Sequence, residues 1–68
     1  MLGIVKFFNA SKGFGFVTRD DGAGDVFVGG RIAEAAGLEL REGDPVRFEV
    51  GEDRSGRQAI VEIERADR

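Results

Sequence analysis

Turn-forming residues interrupt this chain so often that no long element can form. The breaks fall at Asn9 to Lys12, Asp20-Asp21-Gly22-Ala23-Gly24, Gly29-Gly30, Glu42-Gly43-Asp44-Pro45 and Gly51 to Gly56. Each cluster holds residues that reach turn conformations or bond their own backbone. Between them lie short runs rich in Val, Ile and Phe, near residues 2–9, 14–19, 25–28, 45–51 and 57–65. Five strands at this spacing, with no room for crossover helices, predict an all-β fold, an antiparallel barrel or sandwich. The cleanest alternation is Val46-Arg47-Phe48-Glu49-Val50, apolar side chains inward and charges outward. Only Arg31–Leu40 carries helix-favouring residues, and Gly37 stops it after about two turns. With 68 residues, no repeat and no linker, the chain reads as one small domain over 1–68. Such a domain buries only about 60% of its unfolded surface.

Composition removes whole classes of function. The chain has no Cys and no His, so disulfide staples, thiolate–imidazole metal sites and Cys-His or Ser-His catalysis are excluded. Ser11 and Thr18 have no base to activate them. Asp20-Asp21 precedes Gly22 as ordinary turn chemistry. Gly13-x-Gly15 is not a phosphate loop, because Thr18 stands where a dinucleotide fingerprint needs its third Gly and no helix follows. The expectation is a protein without enzyme activity, cofactor or metal. No apolar run reaches about 18 residues, and no charged-apolar-small leader starts at Met1. The chain is therefore expected to be cytoplasmic and to have no membrane partner.

The net charge of −3 speaks against a polyanionic ligand, but its distribution speaks for one. Residues 1–19 hold Lys6, Lys12 and Arg19 and no acid, whereas all thirteen Asp and Glu follow. Four of the six Phe, at positions 7, 8, 14 and 16, fall in that basic third. A basic, aromatic surface on an acidic body can hold a polyanion while the body resists non-specific association. In Phe14-Gly15-Phe16-Val17 the two rings share a face, and in Asp25-Val26-Phe27-Val28 Phe27 opposes Val26 and Val28. If Val17, Val26 and Val28 are core, Phe14, Phe16 and Phe27 face outward as a platform for flat ligands. The inverse assignment suits a sandwich covered on both faces. A barrel has one interior, which favours Val as core.

Lys12-Gly13-Phe14-Gly15-Phe16-Val17 fits the first ribonucleoprotein motif, in which strand aromatics stack bases. Taken with Gly3-Ile4-Val5-Lys6-Phe7-Phe8-Asn9, Asp20-Asp21-Gly22, Asp25-Val26-Phe27-Val28, Leu40-Arg41-Glu42-Gly43, Val46 to Val50 and Gly56-Arg57-Gln58-Ala59, the chain resembles the bacterial cold-shock domain family over roughly residues 2–61. The resemblance implies a five-stranded antiparallel OB-type barrel with one short helical turn in the loop after the third strand. It implies binding of single-stranded RNA or DNA, as an RNA chaperone or a transcription antiterminator, by a monomer with a dimer left open. By matched position Lys6, Phe7, Phe14, Phe16 and Phe27 take binding roles. Lys12 suits a phosphate, and Phe8 matches a partly buried family aromatic.

Departures from the family pattern bear on the site. The family usually has Trp at Phe7, and His-Phe where this chain has Gly29-Gly30. Arg31 could compensate by stacking or by meeting phosphate. Arg54 and Arg57 flank the last hairpin as further candidate contacts. A rival reading is a degenerate domain with weak affinity that presents its Phe face to a protein, or that forms one half of a two-domain protein. The segment Glu62 to Arg68 reads as a strand end followed by a solvated tail.

Overall fold

Strict alternation in β2 (Phe14–Arg19) and β3 (Asp25–Gly29) buries Val17, Val26 and Val28 and leaves Phe14, Phe16 and Phe27 on the outer face. The computed structural model describes residues 1–66. Together with β1 (Leu2–Asn9), β4 (Pro45–Glu52) and β5 (Gln58–Arg65), these strands close a barrel in the order β1-β2-β3-β5-β4. Four of the five junctions are antiparallel. The fifth, β3 to β5, is parallel and rests on the single pair Phe27 with Ala59. The strands agree with expectation to within one residue at each end. Val5, Val46, Phe48 and Ile60, each at most 2% exposed, join the three Val in the interior. Full burial of a side chain such as Phe48 or Ile60 contributes about 1.5–3 kcal/mol.

Two bulges let so short a sheet bend into closure. In β1, Val5 faces Val17 and Phe7 faces Phe16, so Lys6 is the extra residue. In β5, Val50 faces Ile60 while Glu49 faces Glu62, which leaves Val61 extra and exposed. The first bulge decides the site. Unbroken alternation from Val5 would turn Phe7 inward and Phe8 outward. The inserted residue reverses both.

The short helix after β3 forms as expected and starts one residue earlier. α1 (Gly30–Ala35) begins at the second glycine of the pair, so Gly29 ends a strand and Gly30 opens a helix. Gly37 closes it at φ 70°. The Leu38 N–H donates to Ala33 O at 3.0 Å and the Gly37 N–H to Glu34 O at 2.9 Å, the paired bonds of a glycine-capped helix end. The expected solvated tail is corrected at its first residue past β5. Ala66 is buried and its N–H donates to Pro45 O at 3.0 Å. Asp67 and Arg68 lie outside the described residues. No helix among the described residues is long and apolar enough to cross a membrane.

Candidate nucleic-acid interface

The register of β1, β2 and β3 arranges the outer face in rows. Phe7 pairs with Phe16 and Phe16 with Phe27, so three rings form one row across three strands. Their centroids lie 5.6 Å and 5.8 Å apart. The next row holds Asn9, Phe14 and Gly29, and only Phe14 supplies a ring. Phe14 sits 6.2 Å from Phe7, 6.3 Å from Phe16 and 6.0 Å from Phe27, nearly parallel to the last. The row on the other side holds Ile4, Thr18 and Asp25, with no ring and two polar side chains. Phe7 and Phe27 are each 37% exposed, and Phe14 and Phe16 are half-buried between them. Ring faces this open on a small domain offer stacking surface for flat ligands.

Gly15 makes the arrangement possible. It is the inward partner of Phe8 across β1 and β2. A Cβ there would lie 2.7 Å from the Phe8 ring and 2.8 Å from Phe8 Cα. Phe8 therefore belongs elsewhere: it packs against the core and lines a separate depression of about 500 Å³ with Ala33, Leu38 and Leu40. The structure does not bring Phe8 into the ring cluster.

The charge pattern in space differs from the pattern along the chain. Lys6 Nζ is 2.9 Å from Asp25 Oδ2, and the Thr18 hydroxyl donates to Asp25 Oδ1 at 2.9 Å. The Lys6 bond, seconded by Thr18, holds the exposed Asp25 carboxyl below its usual pKa. Arg19 is paired with Asp21, which its guanidinium lowers likewise. Of the three cations in the acid-free segment, only Lys12 has no ion pair among the described residues. Sequence separation hid this, because Asp25 lies 19 residues from Lys6 and meets it only through the β1–β2–β3 register. Arg31, Arg54 and Arg57 are likewise exposed and form no ion pair within the described residues.

Arg57 sits beside the platform. With Gln58, Asp53 and Ser55 it borders a depression of about 320 Å³ walled by Phe16, Phe27 and Asp25. Asp53 shapes that rim, accepting at 2.8 Å from the Ser55 hydroxyl and at 3.0 Å from the Arg57 N–H, which lower its pKa. Arg54 is on the same turn but does not border the depression. Lys12 precedes Phe14 by two residues, and its N–H is held by Asn9 Oδ1 at 3.0 Å. Arg31 follows Gly29 by two residues on α1, at the same end of the sheet.

The two glycines of the departure differ. Gly29 is extended, at φ −83° and ψ 153°, and a Cβ there would have only the Phe27 ring within 4 Å, at 3.8 Å. Gly30 is pressed against the turn before β2. Its N–H donates to Gly13 O at 2.7 Å, and a Cβ would meet Gly13 backbone atoms at 3.0 to 3.2 Å. Gly29 can accept a side chain where it stands; Gly30 cannot without backbone movement.

A closed five-stranded barrel with a helix after the third strand, carrying rings on its β2–β3 face, is an OB-type barrel of the cold-shock kind. The comparisons agree: the chain belongs to the cold-shock DNA-binding domain family, whose pattern matches residues 1–63. It is 51% identical over 64 residues to "Probable cold shock protein y4cH" of Sinorhizobium fredii, covering 91% of this chain and 93% of that one. It is 48% identical over 60 residues to "Cold shock-like protein" of Thermotoga maritima, covering 87% and 89%. With "Cold shock protein CspA" of Rhizobium meliloti it shares 44% over 66 residues, 94% and 96% of the two chains.

Proposed function

We propose that this protein binds single-stranded RNA or DNA by laying bases on Phe7, Phe16 and Phe27, with Phe14 beside them. The observation that carries the reading is the in-register row of three rings across β1, β2 and β3. Lys12, Arg31 and Arg57 supply charge for the backbone, and Lys6 supplies it only when Asp25 releases it. Aromatic faces stack any base, so binding is tolerant of sequence and suits an RNA chaperone or antiterminator that keeps transcripts from folding on themselves. The membership of the cold-shock family supports the same role.

The test is titration with a fluorescent pyrimidine heptamer and with a hairpin stem of equal charge, at low and moderate salt. Binding to the single strand alone is expected, because duplex bases already stack on one another. Equal affinity for both would overturn the stacking reading. The ring-free Gly29 and the Lys6–Asp25 pair favour a second reading, a Phe face offered to a protein. Failure of any single strand to bind would select it.

A further inference from the structure

We infer that the binding unit is short: three bases laid across β1, β2 and β3, with the strand leaving the platform beside Phe14. This rests on the stacking reading above and adds the length of ligand that the face can hold.

Phe7 and Phe27 are the far ends of the ring row. They lie no further apart than about 11 Å, the two Phe16 steps of 5.6 and 5.8 Å placed end to end. One base per ring fills that row. A fourth stacked base needs a second row, and there Phe14 stands between Asn9 and Gly29, with no ring on either side. Phe14 also touches all three rings of the first row, so it buttresses the same three bases more than it extends the path. On the opposite side the face turns polar at Thr18 and Asp25, where Lys6 is already engaged. Beyond Gly29 the face offers no further ring, since Gly30 is bonded to Gly13 at 2.7 Å and carries no side chain. The cations fit the same limits, with Arg57 bordering the Phe16–Phe27 end and Lys12 and Arg31 at the Phe14–Gly29 end.

The experiment is a fluorescence titration of the intact protein with oligothymidylates of two to eight nucleotides, at one fixed salt concentration. Each nucleotide is expected to raise affinity at least about fivefold, the low end of a stacked base, until three are present. From there to the octamer the gain per nucleotide falls below about twofold, the statistical benefit of extra binding frames. Fivefold gains that continue past three nucleotides would overturn the short footprint while leaving the stacking function intact. No binding at any length would overturn that function itself. Gly29→Phe, and independently Gly29→His, place a ring beside Phe14 in open space. Either variant, with melting temperature unchanged, is expected to move the plateau one nucleotide longer and tighten octamer binding about fivefold or more. Trimer binding should not move. A folded Gly29→Phe with the parent's length profile would overturn the assignment of that row as the limit.

Discussion

Phe16 and Val17 are neighbours in sequence and lie on opposite faces of β2, so one substitution at each separates binding from stability. Val17 is fully buried in the barrel. Val17→Ala removes two methyl groups at about 0.8 kcal/mol each and leaves a cavity, for about 2 kcal/mol in all. For a domain of this size that lowers the melting temperature by about 8–16 °C. Phe16 is half-buried and its ring lies 5.6 to 6.3 Å from the other three rings of the face. Phe16→Ala should lose about 1 kcal/mol of ring–ring contact in the fold. It also removes the middle ring of the row, and oligonucleotide binding should fall by about 1–3 kcal/mol, five- to 150-fold. Phe16→Leu keeps apolar bulk without a flat face. It should melt close to the parent and bind nearly as weakly as the Ala variant. The assays are thermal unfolding by circular dichroism and heptamer titration below each variant's transition. If Phe16→Ala unfolds as readily as Val17→Ala yet binds normally per folded molecule, Phe16 is core and the face assignment is inverted.

Asp25→Asn keeps an acceptor for the Thr18 hydroxyl but frees Lys6. Binding should tighten, and the log–log salt slope should steepen by up to about 0.7, one phosphate's worth for a single strand; an unchanged slope would show that Lys6 gains nothing from release. Gly15→Ala puts a Cβ 2.7 Å from the Phe8 ring, so a melting temperature at least about 8 °C lower is expected, and a variant as stable as the parent would refute the packing described at the bulge. The pKa values of Asp21, Asp25 and Asp53 are all lowered from 3.8. Their contribution to stability is thus present above that pH and lost as pH falls through the folded values. Denaturant titrations from pH 6 to 2 should show a decline concentrated below about pH 4, made shallower by Asp25→Asn; an unaltered acid limb in that variant would remove Asp25 from the account.

Five strands in a barrel or sandwich could be read from the residues, and the cold-shock resemblance singled out the barrel. Turn clusters set the strand limits, and the Val positions of β2 and β3 matched the single interior that five strands can enclose. Phe14, Phe16 and Phe27 followed directly, since period-two alternation places them opposite Val17, Val26 and Val28. What stayed hidden depends on breaks in that period. Nothing in Val5-Lys6-Phe7-Phe8 announces a residue out of register. The one local hint is Gly15, a strand glycine whose missing side chain marks a close approach, here the Phe8 ring. The parallel junction between β3 and β5 and the burial of Ala66 were equally out of reach, because each depends on partners many residues away.

Electrostatics were the least legible part for the same reason. A run of nineteen residues without an acid looks basic only while the chain is extended. Folding brings Asp25 onto Lys6 and Asp21 onto Arg19, so the local excess shrinks to Lys12. The positive character of the face then rests on Lys12, Arg31 and Arg57, two of them drawn from the acid-rich part of the sequence. Their charges are exposed, and the attraction of exposed charges for a ligand weakens as salt rises. Stacking is screened far less. Affinity on this face should therefore follow the ring count more closely than the charge count, and that makes Gly29, an open position beside Phe14, the residue that most limits it.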